Sequence, residues 1–266
     1  MKKILFTVLT IAAMTACKTE SKKALILYYS QTGTTKAVAE EIQNQTGADI
    51  CAFDVAEPYT GSFDETIQRC MQERQTNYVP ELATLGCDLS KYDVIYLGYP
   101  IWFGTYAPPV TALLKSASFE GKTIIPFCTF GSGGLEPSVA DLKAALPSST
   151  IKEGYGVRTA RLHAIQKELN RFLIENGWKE GEVEALPAYS AEAEVSEAEA
   201  AIFDQACSSY QYPLGTPIKV CSRKTADSMD YLFTAKSEGP DGNASESKVY
   251  VTVLDGRAPE FTRVAR

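Results

Sequence analysis

The sequence predicts an α/β fold, a doubly wound parallel sheet with helices on both faces, followed by a small α+β unit. Three observations carry this. Strand-like apolar runs near 24–29, 49–54, 92–97, 123–129 and 150–157 alternate with helical patterns near 34–46, 62–75, 107–117, 136–145 and 162–176. Regular alternation of this kind argues parallel strands joined by crossover helices. In the last of these helices Ile165, Leu169, Phe172 and Leu173 fall on one stripe, the apolar face of a helix packed on a sheet. Beyond residue 194 the pattern changes to one helix and three strand-like segments.

The first run, Ala24 to Tyr29, leads into Ser30-Gln31-Thr32-Gly33-Thr34-Thr35, and then Val38 and Ile42 take helical spacing. This is a strand, a turn and a helix start. Such a turn aims backbone N–H groups and the positive end of the helix dipole at one point, where hydroxyls can add donors for an anion. It is not a nucleoside-triphosphate loop, because no Gly-Lys-Ser/Thr follows, and not a dinucleotide fingerprint, because it holds one glycine rather than three. With only Lys36 nearby, neutral donors suit a cofactor's phosphate monoester better than a triphosphate. A Thr-capped helix after a glycine turn is the plainer reading of the same residues.

The third run ends in Tyr99-Pro100-Ile101-Trp102-Phe103-Gly104-Thr105, an aromatic cluster punctuated by Pro and Gly. The fourth ends in Thr129-Phe130-Gly131-Ser132-Gly133-Gly134. Ligands of open parallel sheets bind outside the carboxyl ends of the strands, so three unusual loops after three strands are expected to converge. One supplies phosphate donors, one aromatic faces, one bare backbone. Together they suit a flat ring system that carries a phosphate. Pro126 sits awkwardly in the fourth run, since proline removes a ladder donor.

These residues resemble the flavodoxin family, whose phosphate loop reads Thr/Ser-x-Thr-Gly-x-Thr, matched at Ser30, Thr32, Gly33 and Thr35. The later loops resemble that family's flavin-ring loops, particularly a branch with a Tyr-Pro-Ile-Trp-x-Gly segment. The similarity runs from about Lys23 to Trp178 and implies a five-stranded sheet of order 2-1-3-4-5 with FMN as cofactor. By that resemblance the phosphate falls to Ser30, Gln31, Thr32, Gly33, Thr34 and Thr35. Tyr99, Pro100, Ile101, Trp102, Phe103 and Gly104 would line the ring, and Thr129, Phe130, Gly131 and Gly133 its pyrimidine edge. Trp102 is the expected stacking partner, with Tyr78 as possible extra cover.

The N-terminus has the regions of a secretory signal over 1–16: Lys2 and Lys3, an apolar stretch from Ile4 to Met14, and small residues before Cys17. The apolar part is too short for a transmembrane span. Met14-Thr15-Ala16-Cys17 resembles the lipobox of bacterial lipoproteins, which implies diacylation of Cys17, a polar tether over 17–23 and attachment to the bacterial cell envelope. Two or three acyl chains give stable anchoring where one is marginal. Cleavage removes two lysines and no acid, taking the formal charge from −7 to −9. An acidic chain argues against nucleic acid and is compatible with a basic redox partner.

Six cysteines remain after Cys17, and the chain has one histidine, His163. No spacing among them resembles a metal site. Cys51 and Cys128 fall in strand-like runs and read as buried small hydrophobes. An exported protein can keep disulfides, and Cys70 with Cys87 and Cys207 with Cys221 are the pairings to test first, although spacing does not fix connectivity. His163, at a helix start without a partner motif, reads as a surface or capping residue.

The α/β part is expected over 24–178, with a polar, Pro-containing linker over 179–194. In the small unit, 195–266, Val195, Ala198, Ile202 and Ala206 form a helical stripe flanked by Phe203. Strands are expected near 216–224, 229–237 and 247–254, the last two separated by Gly-Pro-Asp-Gly-Asn at 239–243. The element order loosely resembles a cystatin-like arrangement, with no inhibitory motif to match. Two functional classes follow. One is an FMN-dependent carrier or reductase passing electrons to a protein or a small acceptor such as a quinone. The other is a non-catalytic envelope binding module. No second nucleotide fingerprint is present, which favours an external electron donor.

Overall fold

The structure is a computed structural model that describes residues 23–210, 212–238 and 244–265. The signal segment, Cys17, the tether up to residue 22 and the 239–243 turn lie outside the described residues. In chain order the first part comprises β1 (Ala24–Tyr28), α1 (Thr34–Thr46), β2 (Asp49–Ala52), α2 (Phe63–Thr76), β3 (Val94–Trp102), β4 (Thr105–Tyr106), α3 (Pro108–Ser116), β5 (Thr123–Phe130), α4 (Leu135–Ala145), β6 (Thr150–Ile151), β7 (Tyr155–Arg158) and α5 (Ile165–Glu175). Two 3-10 segments, the single turn Leu89–Lys91 and the longer Thr159–Ala164, kinked at Arg161, bridge the longer loops.

The parallel sheet runs β2-β1-β3-β5, with β6 and β7 both beside β5, which is the expected 2-1-3-4-5 order with its fifth strand divided. The division explains Pro126. The Lys152 amide donates to Ile124 O (2.9 Å), so the β6 side of β5 is served by Ile124 and, by alternation, by Pro126 and Cys128. The β6 ladder stops at Ile124 and the β7 ladder begins at Phe127, leaving Pro126 opposite the break. The absent N–H costs nothing there.

Alternation along β1 splits the core into two layers. Leu25 and Leu27 join Val110 and Leu113 of α3 and Leu142 of α4 on one face. Ile26 and Tyr28 join Val38 and Ile42 of α1 and Leu169 and Leu173 of α5 on the other. Cys128 is fully buried as expected, but Cys51 is only partly buried because β2 is the sheet's edge strand.

The second part comprises β8 (Ala193–Glu194), α6 (Glu197–Cys207), β9 (Thr216–Lys224), β10 (Ser228–Glu238), β11 (Ala244–Leu254) and β12 (Glu260–Ala265). They form an antiparallel sheet of order β12-β11-β10-β9-β8. α6 starts with a capping box between Ser196 and Glu199 and seats Phe203 and Ala206 on this sheet. Ala198, expected on the buried stripe, is exposed. The stretch read as linker ends inside the sheet, since Ser190 N–H donates to Ser222 O (2.7 Å) and β8 pairs with β9.

Strand β12 is absent from the sequence reading. Its register shifts against β11, with Tyr250 opposite Arg263 and Val251 opposite Phe261, so Thr262 is the extra residue of a bulge. The bulge turns Phe261 and Val264 to the same buried face at a spacing of three. Period-two alternation is lost and the segment does not read as a strand.

The cysteine pairings differ from expectation. All six are free thiols: Cys70 is buried on α2, and the thiol that acts on Cys87 is Cys51 rather than Cys70. Among the described residues no cluster of three or more His, Cys, Asp or Glu side chains could hold a metal. No described helix is long and apolar enough to cross a membrane.

Candidate functional site

The three loops meet. Thr35, fully buried at the start of α1, places its Oγ1 2.9 Å from Thr129 Oγ1 at the end of β5, and Thr34 Oγ1 lies 3.4 Å from the same atom. Gly134 of the third loop abuts Ile101 of the second: a Cβ on Gly134 would come within 2.6 Å of the Ile101 methyl. Hydroxyl contacts thus tie the first loop to the third, and close packing ties the third to the second.

The first loop has the makings of an anion site rather than a capped helix. Gly33 occupies the N-cap position of α1 with φ +86°, and no side chain caps the turn. The first-turn amides of an α-helix lack intrahelical partners, so this end presents donors and the positive dipole end. Ser30 Oγ is buried without a hydrogen-bond partner, a costly state for a hydroxyl unless a ligand completes it. Thr32 Oγ1 lies 3.5 Å from Thr34 Oγ1 at the exposed lip. Lys36 is engaged with Glu40 on the same helix (3.6 Å), so the loop itself is neutral. Neutral donors, an orphaned hydroxyl and a helix N-terminus fit a phosphate monoester.

Gln31 departs from its expected role. Its Nε2 donates to Tyr59 O (3.0 Å) and Thr66 Oγ1 (2.9 Å), so the side chain holds the loop against the start of α2 and is not free for phosphate.

In the second loop Phe103 (φ +52°) and Gly104 (φ +86°) are the two corner residues between β3 and β4, and positive φ at both is the type I′ hairpin geometry. Pro100, Ile101 and Trp102 are partly buried. Trp102 stands edge-on to Tyr59 (centroids 5.3 Å, 75°) and Tyr29 (6.0 Å, 85°), two aromatics absent from the expected site. Phe103 is exposed and lies 5.2 Å from the Arg74 guanidinium. Tyr78 is exposed just after α2. Tyr99, expected to line the ring, is turned fully into the core, where its hydroxyl meets Ser138 Oγ (3.1 Å). The physical reason is strand alternation: Tyr99 lies on the face carrying Leu97 and Ile95.

Behind Trp102 lies a buried polar chain. Tyr59 donates to Glu73 Oε2 (2.5 Å), Arg69 Nε donates to Glu73 Oε1 (2.8 Å), and the Arg69 guanidinium sits 3.8 Å from the Tyr59 ring centroid. Burial raises the Tyr59 and Tyr29 phenols above their ordinary value, and at Tyr59 the bond to Glu73 adds to the rise. Both stay protonated, so the wall beneath the indole is neutral. Tyr59 lies in an irregular stretch, so periodicity gave no sign of it.

In the third loop Phe130 is buried in the core and Thr129 spends its hydroxyl on Thr35, so neither side chain is free for a ring edge. Gly131 is open to solvent. Gly133 serves a different purpose from the one expected: a Cβ there would lie 2.4 Å from Val264 O of β12. Its bareness admits the second sheet. His163 pairs with Glu260 at 3.3 Å, also across the two parts of the chain.

The family model described as Flavodoxin matches residues 23–174, more than half of the chain, and the protein belongs to the flavodoxin family. Among similar solved structures is a putative flavoprotein from Bacteroides uniformis, 26% identical, with a TM-score of 0.51, covering 57% of this chain and 99% of its own. A putative flavoprotein from Bacteroides eggerthii is 27% identical, with a TM-score of 0.48, covering 56% of this chain and 99% of its own. A flavoprotein from Lactobacillus acidophilus, solved in complex with FMN, is 24% identical, with a TM-score of 0.48, covering 57% of this chain and 98% of its own. Comparison with curated proteins finds no match.

Proposed function

We propose that this protein is an FMN-binding electron-transfer flavoprotein held in the bacterial cell envelope by acyl chains on Cys17. Membership of the flavodoxin family supports FMN, and the observation that carries the site assignment is Ser30 Oγ, buried and unpartnered beside the uncapped N-terminus of α1. Bound FMN supplies one- and two-electron redox chemistry that no side chain of the chain provides.

The residues of this chain bind and orient the cofactor. Ser30, Thr32 and Thr34 hydroxyls and the first-turn amides of α1 hold the phosphate, while Thr35 braces the loop from below through Thr129. Trp102, propped by Tyr29 and Tyr59, offers an aromatic surface for the ring system. Exposed backbone at Gly131 and the Phe103–Gly104 corner borders the ring. The acceptor is a protein or a small molecule such as a quinone, and electrons arrive from an external donor.

The test is the purified full chain in detergent. A flavin absorbance spectrum, or its appearance on adding FMN, supports the reading. A colourless protein that ignores FMN sinks it in favour of a binding module. A Cys17→Ser variant that stays in the membrane fraction would refute the anchor.

A further inference from the structure

We propose that the second sheet is a working part of the cofactor site, because its last strand clamps the third loop in the shape that meets the flavin. This rests on the FMN reading above. The family match ends at residue 174, so the β12 side of the clamp, Phe261 to Val264, is made by residues that the match does not cover, while Arg158 on the other side lies within it.

Four contacts converge on Gly131-Ser132-Gly133-Gly134 and the helix that follows. Val264 N–H donates to Ser132 O (2.9 Å), a strand-like bond between β12 and the loop. The Val264 carbonyl occupies the space a side chain on Gly133 would need. Arg158, at the end of β7, donates from Nε to Gly131 O (2.6 Å) and from Nη1 to Phe261 O (2.9 Å), joining loop and strand with one guanidinium. That guanidinium also lies 4.4 Å from the Phe261 ring centroid, which fixes its plane. Finally, Arg263 of β12 pairs with Glu136 in the first turn of α4.

A loop with three glycines in four residues has unusual backbone freedom, and a ligand that needs one conformation must pay to select it. Two carbonyls held by Arg158 and Val264 restrict that freedom before any ligand arrives. Preorganisation of this sort raises affinity without touching the ligand. Arg158, Arg263 and Val264 are therefore positioning residues. They act on Gly131 to Gly134, whereas the phosphate loop is anchored through Thr35 to Thr129, which lies in β5 ahead of that segment.

This separation sets the experiment, made on the full chain. Arg158→Met keeps the stem and removes both carbonyl contacts, and Arg263→Gln removes the ion pair at an exposed position, so one variant serves if the other misfolds. FMN and riboflavin dissociation constants are measured by flavin fluorescence, with hydrogen exchange of residues 130–136 in the flavin-free protein. Faster exchange is expected in that segment, with both flavins weakened by the same factor, about three- to tenfold. Thr32→Val, in contrast, weakens FMN and spares riboflavin, which has no phosphate. Unchanged flavin binding by folded clamp variants of a protein that binds FMN overturns the inference, whatever the exchange does. A wild-type chain that binds neither flavin overturns the FMN reading and this inference with it.

Discussion

The hydroxyls of Thr35 and Thr129 lie 2.9 Å apart in the interior, joining the start of the first helix to the end of the fourth parallel strand. Neither is exposed, and the Thr35 hydroxyl depends on Thr129, which also meets Thr34 Oγ1 at 3.4 Å. Thr129→Val strips Thr35 of this partner while keeping the shape of the side chain. The expected loss of stability is about 1–3 kcal/mol, the cost of a buried polar group left unpaired, read from urea unfolding midpoints. Thr32→Val, at the exposed lip, leaves the midpoint unchanged and weakens FMN.

Trp102 stands against Tyr29 and Tyr59 and keeps part of its surface open. Under the FMN reading, binding quenches its fluorescence. Trp102→Phe removes the quench and leaves the Trp178 emission, and an intact quench in that variant rejects the stacking role.

Glu73 accepts from both Tyr59 and Arg69 in a buried setting. Glu73→Leu leaves the buried Tyr59 hydroxyl without its acceptor and the partly exposed Arg69 without its carboxylate, and an unpaired buried polar group costs about 1–3 kcal/mol. The variant is expected to unfold at markedly lower denaturant concentration. A shift no larger than that of a surface substitution would show that the chain of contacts is dispensable.

Tyr92 donates to Asp49 (2.7 Å), and Lys23 adds an ion pair at 3.2 Å. The bond from Tyr92, followed by Lys23, holds the Asp49 carboxyl below its ordinary value, and the same bond pushes the Tyr92 phenol up to about 12. A lowered carboxyl contributes stability above its unfolded value, about 4, that is lost as pH falls through the folded one. A raised phenol contributes below its unfolded value, about 10, and loses it as pH rises through about 12. Wild type and Tyr92→Phe should therefore differ most in unfolding free energy between these limits and converge below pH 4. A constant difference down to pH 2 would contradict the coupling.

Burial pushes the thiols of Cys70 to about 11 and of Cys87 and Cys207 to about 12, with Cys51 contributing at Cys87. At pH 8 their thiolate fractions are on the order of one in a thousand or less, so alkylation by iodoacetamide is slow until the chain unfolds. Peptide mapping after brief labelling checks this. Rapid labelling of Cys70 in the native protein would show that its helix opens.

The parallel sheet was legible because its strands are continuous apolar runs separated by helices, and each such run stands out without help from its neighbours. The first loop was legible for the same local reason: Gly33 and the hydroxyls around it are adjacent in the chain. Other roles were not legible. Tyr99 and Phe130 look like ring-lining aromatics in a linear motif, yet strand alternation sends both into the core. Gln31 looks like a phosphate donor until α2 folds across it. The division of the fifth strand opposite Pro126 depends on which side of β5 each N–H faces.

The sequence by itself determined the order of the parallel strands, through the family its motifs resemble, and the placing of three loops at one edge of the sheet. These follow from periodicity and from turn chemistry, both encoded within a few neighbouring residues. Only the tertiary structure decided what Gly133 is for. The carbonyl it makes room for belongs to Val264, far along the chain in a bulged strand without alternation, and a contact between distant backbones leaves no mark on either local pattern.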